Sequence, residues 1–389
     1  MTATFVRDRF TWLAYGMLAY FAYFQAALGP AIPFLRQELN LSYTVAGFHA
    51  SAMAVGLIAA GLLTDRLALR WGRARVFWFG GGGMALGALL MVVGRGAFFT
   101  VLGAGIMGGV GGLLVIMIQA TLAARHGPLR ATAITESNVV AAAGALAVPA
   151  LIGGFQMTGL GWRTALILGA LLWLIAFWRF RHIAVPERTD RAGPVASIED
   201  GASGARLPVT YWVLWGVIFA AVAIEWSLSF WGAEFMENST GLSRAGASTA
   251  MSVFFGAVVV GRFFGSRLTR SYESTTLLLG ALALIGLGFP FFWLSPSVLL
   301  TLIGLFVAGL GLANLFPLAA SVALGVAGDL ADTASSRMAL GAGTAILLAP
   351  QILGALADQF GIQAAYGVVM IVWLGALVMT LIARQRVRV

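Results

Sequence analysis

Two glutamates, Glu225 and Glu136, lie in apolar stretches of this sequence that are long enough to cross a bilayer. Glu225 occurs in VAIEWSLSFW (222–231), near the middle of its stretch. A carboxylate at the centre of a membrane helix costs about 2.5–3.5 kcal/mol, and burial disfavours its charged form. Both glutamates are therefore candidates for binding and releasing a proton. The alternative for Glu225 is a neutral side chain that only joins helices.

Aromatic and amide side chains within apolar stretches are candidate ligands for a solute. Rings combined with hydroxyl and amide groups suit a neutral, partly polar molecule such as a sugar. Packing between helices, or anchoring at the membrane surface, is the alternative role for each of them. The candidate solute-binding residues are Tyr20, Tyr23, Gln25, Gln119, Asn138, Trp226, Trp231 and Asn314.

The composition indicates the kind of fold that contains these residues. The chain has 60% hydrophobic and 10% charged residues and a mean hydropathy of +0.92, far from a soluble domain with about 25% charged residues. A bilayer core of about 30 Å needs about 20 apolar residues of helix. The sequence predicts an all-α membrane protein with twelve transmembrane helices, at 10–35, 44–64, 76–95, 98–124, 131–155, 164–181, 210–236, 245–265, 275–295, 297–326, 334–356 and 363–383.

The charges predict an orientation. All 24 basic residues are arginines. With the N-terminus inside and twelve spans, only Arg36, Arg95, Arg163 and Arg244 fall outside, which is the asymmetry of the positive-inside rule. We expect both termini in the cytoplasm and the chain in the inner (cytoplasmic) membrane. The net charge of +9 is then a topology signal, and nucleic acid is not an expected partner.

A polar interval divides the chain into similar halves. We predict an N-terminal six-helix bundle at 1–181, a cytoplasmic linker at 182–209 and a C-terminal six-helix bundle at 210–389. A shift of 201 residues places LSYTVAGFHASAMAVGLIAAGLLTDRL, from Leu41, over LSRAGASTAMSVFFGAVVVGRFFGSRL, from Leu242, without a gap. Such repeats are typical of transporters with two pseudo-symmetric halves.

The loop GLLTDRLALRWGRAR (61–75) resembles the loop after the second helix of the major facilitator superfamily. Gly61, Asp65 and Arg66 match that family's pattern, whereas the Gly-Arg pair at 72–73 comes several residues late. The arginine usual in the family's fourth helix is missing from FFTVLGAGIMGGVGG. The segments EWS (225–227) and GLGLANLFPLAAS (309–321) look like the fucose-permease-like branch.

This resemblance implies a secondary transporter that moves a small organic solute by alternating access. It also implies that the seventh helix lines a central cavity, which favours Glu225 as a proton site. Proton symport of a sugar-like solute is the favoured function. A proton-coupled exporter of drug-like or lipid compounds, or a uniporter, is the alternative.

The same resemblance suggests a cytoplasmic gate. In this family the second helix packs against the eleventh and the fifth against the eighth. The expected pairs are Asp65 with Arg337 and Glu136 with Arg262, and the matched loop adds Arg66. Ordinary flanking charges at the membrane surface are the alternative, since such pairs contribute only about 0–1 kcal/mol.

The residues that a zinc protein, a nucleotide-binding protein or an enzyme would need are missing from this sequence. The chain has no cysteine and three distant histidines, so a zinc centre is not expected. Its glycine runs at 80–83 and 108–112 have no following Lys-Ser/Thr, unlike a nucleotide-binding loop, and we read them as sites of close helix packing. No clustered nucleophile and base suggests an enzyme. We expect no cofactor, a monomer, and as partners only the solute, protons and the lipid bilayer.

Overall fold

The computed structural model describes residues 5–187 and 206–387. These residues form twelve long α-helices and no strand. A one-turn helix, Ile362–Ala365, precedes the last of them. The helices are α1 Arg9–Leu39, α2 Tyr43–Trp71, α3 Arg73–Val93, α4 Ala97–His126, α5 Arg130–Met157, α6 Arg163–Phe180, α7 Val209–Thr240, α8 Arg244–Leu268, α9 Ser274–Leu294, α10 Val298–Ala327, α11 Ala331–Phe360 and α12 Gly367–Val387.

By length and composition, ten helical segments of the described chain could cross a membrane. Two of these segments, Ala97–Met157 and Val298–Phe360, are 61 and 63 residues long. At 1.5 Å per residue each would extend about 90 Å if straight, three times the hydrocarbon core. A 3₁₀ turn divides each one and begins at a glycine with positive φ, 49° at Gly127 and 53° at Gly328. The all-helical membrane fold is confirmed, and the count of twelve spans stays a prediction.

The contacts divide the described chain into two compact units. The first contains residues 5–41 and 48–187, and the second contains 42–47 and 206–387. In the first unit α1 packs mainly on α5 and α3 on α4, and in the second α7 packs on α11 and α9 on α10. Residues 188–205, most of the predicted linker, lie outside the described residues, and the predicted domain boundaries stay a prediction.

The internal repeat recurs in the helix positions of the two units. The shift of 201 residues places α3 on α9 and α4 on α10 at both ends, and it places the two 3₁₀ turns on each other. It also preserves close packing. A Cβ on Gly87 would lie 2.5 Å from the carbonyl oxygen of Gly103, and one on Gly288 would lie 2.6 Å from that of Gly304. The same glycine pair therefore joins the corresponding helices in each unit.

The glycine runs allow other helices of the first unit to approach closely. A Cβ on Gly80 would lie 2.7 Å from the backbone nitrogen of Leu114, and one on Gly108 would meet the backbone of Met53. The indole of Trp173 lies across Gly81 and would be 2.6 Å from an added Cβ. The runs at 80–83 and 108–112 thus lie at helix contacts, the small-residue packing expected inside a bilayer.

Candidate functional site

Glu225 lies at the middle of α7, a helix of 32 residues. Its side chain is half-buried, and Val222, Ala223 and Ile224 beside it are buried. Arg262 on α8 acts on it electrostatically. Apolar neighbours cannot replace the hydration of a carboxylate, so they disfavour its charged form. The proton-binding role of Glu225 stays a prediction.

The two tryptophans near Glu225 differ in their surroundings. Trp226 is half-buried and packs against the buried cluster of Val222, Ala223 and Ala345, which joins α7 to α11. Trp231 is fully buried, and its indole N–H donates to the carbonyl of Pro350 at 2.8 Å. Because both the ring and the donor of Trp231 are occupied, its placement favours a packing role. Trp226 is the member of the pair that keeps an exposed edge.

The two tyrosines of α1 are also bonded within their unit. Tyr20 donates from its hydroxyl to the carbonyl of Gly81 at 2.9 Å, and Tyr23 donates to that of Ala165 at 2.7 Å. Both rings are buried. These hydrogen bonds join α1 to α3 and α6, so the sequence prediction of solute contact has little support for either hydroxyl. Gln25, at the middle of α1, is half-buried and has no protein hydrogen-bond partner for its amide within the described chain.

The other three amides have different exposures. Asn314 is half-buried and donates to the carbonyl of Gly261 at 2.7 Å, which links α10 to α8. Asn138 is exposed and donates to the carbonyl of Ile134 at 3.0 Å, one turn earlier in α5. Gln119 is exposed, and no group of the described residues forms a hydrogen bond with its side chain. Gln25, Gln119 and Asn138 therefore retain amide groups for another partner.

Glu136 is bound by a residue that the sequence reasoning did not single out. Arg7, just before α1, donates to its two carboxylate oxygens at 2.8 and 2.6 Å. The hydroxyl of Tyr15 donates to the same carboxylate at 3.1 Å. The hydrogen bond to Glu136 raises the pKa of Arg7 above its ordinary value. Only the arginine-rich RDR at 7–9 could have suggested this pair, and 129 residues separate its members.

A second ionic contact lies beside the first. Asp8 caps α1 by accepting from the backbone N–H of Thr11 at 2.8 Å, and it accepts from Arg125 of α4 at 2.7 Å. Burial raises the pKa of Asp8, but the hydrogen bonds from Thr11 and Arg125 outweigh it and leave the pKa below its ordinary value. The start of α1 is thus fixed to α4 and α5 by two charge pairs.

The remaining predicted gate residues are exposed. They are Asp65, Arg66, Arg262 and Arg337. The guanidinium of Arg337 lies 5.3 Å from the centre of the Trp212 ring, and its backbone carbonyl accepts from the indole of Trp215 at 2.8 Å. The ion pairs proposed for the gate stay a prediction. Within the described residues, no group of three or more histidines and carboxylates could hold a metal ion.

The comparisons with known proteins identify the family. The family model for the Major Facilitator Superfamily matches residues 12–328 and 213–388 of this chain. This match makes the chain a multi-pass membrane transporter and not an enzyme. The chain belongs to the Major Facilitator Superfamily.

Two kinds of sequence relative are similar to this chain. The drug efflux pump JefA of Mycobacterium tuberculosis is 30% identical over 197 residues, which are 47% of this chain and 37% of that protein. The match thus covers little more than a third of the relative's own length. An uncharacterized MFS-type transporter of Yersinia pestis is 22% identical over 363 residues, 90% of both chains.

Solved structures of low sequence identity share the fold. A bacterial homolog of the human lysosomal transporter Spinster has a TM-score of 0.78 at 14% identity and covers 98% of both chains. The nucleoside transporter NupG has a TM-score of 0.75 at 14% identity, covering 96% of this chain and 98% of that one. The D-xylose-proton symporter has a TM-score of 0.68 at 16% identity and covers 96% of both.

Proposed function

We propose that this transporter couples the movement of a small, sugar-like solute to protons, with Glu225 as the proton-binding residue. The half-buried carboxylate at the middle of α7 carries this proposal. A charge at membrane depth is costly, and membrane carboxylates of this kind mark ion pathways. Arg262 would favour the charged form of Glu225 whenever the two are close.

The free amides support a polar solute. Gln25 lies at the middle of α1, as Glu225 does in α7, and the 201-residue shift places it on Trp226. An amide without a partner inside a membrane helix is costly, so Gln25 and Gln119 are expected to bond water or solute. We keep Gln25, Gln119, Asn138 and Trp226 as proposed solute ligands. Tyr20, Tyr23, Trp231 and Asn314 are more simply explained by the helix contacts that they already make.

Export of a drug-like compound is the second candidate. It is supported by the 30% identity to the efflux pump JefA over about half of this chain. A uniporter is the third, and it would leave Glu225 with a packing role only. Inner-membrane location, cytoplasmic termini and a monomeric state remain proposals from the arginine distribution and the fold.

The test of coupling uses purified protein in proteoliposomes. A thermal-shift screen against monosaccharides, nucleosides and cationic dyes selects the solute for transport. We expect Glu225→Gln to abolish accumulation driven by a pH gradient, while exchange of solute without a gradient survives. Glu136→Gln tests the alternative proton carrier, and the exposed Glu273→Gln is the matched control. Accumulation by Glu225→Gln at the rate of the control would refute the assignment, and a hit only among dyes would favour export.

A further inference from the structure

A groove runs between α1 and α6 in the first unit, with α5 closing one side. Its volume is about 690 Å³, within the range of small-molecule sites. Leu13 and Met17 of α1 and Leu172 and Ala176 of α6 line its walls. We call this feature the α1–α6 groove. It lies apart from Glu225 and takes no part in the proposed proton coupling.

The depth of the groove is apolar although two tyrosines line it. Tyr20 and Tyr23 present their rings, because both hydroxyls already donate to backbone carbonyls of α3 and α6. Gly16 also lines it, and a Cβ there would face open space, whereas Gly144 and Gly169 let α5 and α6 approach α1 closely. The groove is open to the side at Trp12 and Leu172, which are 57% and 50% exposed. An apolar chain could therefore enter from the side.

The rim of the groove is basic. Arg9 begins α1, Arg179 lies in the last turn of α6, and His182 follows that helix. All three are exposed, and among the residues that the structure describes no carboxylate lines the groove. Within the described chain, Arg9 has no acidic side chain within 4 Å. Arg179 stacks on Phe180 at 5.4 Å, which leaves its N–H donors free to bind an anion.

The dimensions and the charge together specify the occupant. From Arg9 to Tyr23 the groove follows α1 for about 21 Å, and from Gly169 to the end of α6 at Phe180 it follows that helix for about 17 Å, at 1.5 Å per residue. One leaflet of a hydrocarbon core of about 30 Å is about 15 Å deep. The basic rim lies at the end of the unit that the arginine distribution predicts to be cytoplasmic, where anionic lipids attract Lys and Arg.

We propose that the α1–α6 groove binds one anionic phospholipid of the cytoplasmic leaflet, with its phosphate between Arg9 and Arg179 and an acyl chain along α1. A zwitterionic lipid could place the same chain but would gain less from the two guanidinium groups. A polar solute would find few partners along the apolar walls. The lipid would hold α1 against α6 and need not be transported.

The first experiment measures headgroup preference by native mass spectrometry. Purified protein in detergent is titrated with phosphatidylglycerol and with phosphatidylcholine of the same acyl chains. We expect preferential retention of phosphatidylglycerol. In the double variant Arg9→Gln/Arg179→Gln that preference should fall about 30-fold, which corresponds to about 1 kcal/mol for each arginine near the surface. The matched control, Arg270→Gln/Arg386→Gln, removes two other exposed arginines and should keep the preference.

The second experiment fills the groove without changing charge. A Cβ on Gly16 would meet nothing within 4 Å, so Gly16→Leu should fold and occupy the path of the acyl chain. Gly280→Leu is the control, because its Cβ also meets open space, on the exposed side of α9. We expect retained phosphatidylglycerol to drop several-fold in Gly16→Leu only. Equal lipid retention in Gly16→Leu and Gly280→Leu overturns the proposal. So does an equal loss of preference in the two arginine pairs, or wild-type protein without a headgroup preference.

Discussion

Gly288 and Gly280 lie on the same helix, α9, but the structure predicts opposite outcomes when each becomes alanine. A Cβ on Gly288 would lie 2.5 Å from the backbone nitrogen of Ala308 and 2.6 Å from the carbonyl oxygen of Gly304. Both atoms belong to the backbone of α10, so no side chain can move aside. A Cβ on Gly280 would meet nothing within 4 Å.

The size of the effect follows from the separation that the helices need. Ordinary van der Waals contact begins at 3.4 Å and the nearest atom is at 2.5 Å, so α9 and α10 must separate by about 0.9 Å at Gly288 to accept a methyl group. Overpacking of this kind costs about 1–3 kcal/mol, and the helix propensity of alanine returns about 0.5–1 kcal/mol. We expect Gly288→Ala to be destabilised by about 1–2 kcal/mol, and Gly280→Ala to be neutral or slightly stabilised.

The assay is thermal unfolding of the purified variants in one detergent. For a unit of this size, about 2–4 °C of Tm corresponds to 1 kcal/mol, so Gly288→Ala should unfold about 2–8 °C below Gly280→Ala. The repeat adds an internal control, because Gly87→Ala should behave as Gly288→Ala does. Equal Tm values for Gly288→Ala and Gly280→Ala would show that α9 and α10 do not pack this closely.

Three further results are expected. Trp231→Phe loses the hydrogen bond to Pro350 and should lower the Tm without changing solute affinity. Trp226→Ala should weaken solute binding in the same thermal-shift assay. The reverse result would show that Trp231, and not Trp226, contacts the solute. Arg337→Ala should increase cytoplasmic labelling of single cysteines introduced into the cysteine-free chain, and unchanged labelling would refute the gate. The pKa of Asp8 is lowered in the folded protein, so the ionised carboxylate stabilises the fold. This contribution is present above the ordinary carboxyl pKa of 3.8 and is lost as the pH falls through the lowered pKa. Asp8→Asn should accordingly flatten the fall in Tm as the pH drops below about 4, and a curve parallel to that of the wild type would contradict this.

Properties that depend on residues close together along the chain could be predicted from the sequence. Apolar runs of sufficient length specify helices in a bilayer because the backbone must satisfy its own hydrogen bonds there. The repeat was visible as a shift of 201 residues, and the structure preserves that shift down to the Gly87–Gly103 and Gly288–Gly304 contacts. Glycine runs predicted close packing correctly, because a missing side chain has the same consequence whichever helix approaches.

The tertiary structure decided which partner each polar side chain meets. Tyr20, Tyr23 and Trp231 had the composition of a sugar site, yet their donors bond to backbone carbonyls of other helices. Glu136 meets Arg7, across 129 residues of sequence. Hydropathy and spacing give the position of a residue along its helix, but its rotation about the helix axis and the identity of the facing helix arise from packing. For that reason the sequence determined the fold and the position of Glu225 along its helix, and only the folded chain distinguished the groups that hold helices together from those that keep polar groups without a partner in the described chain.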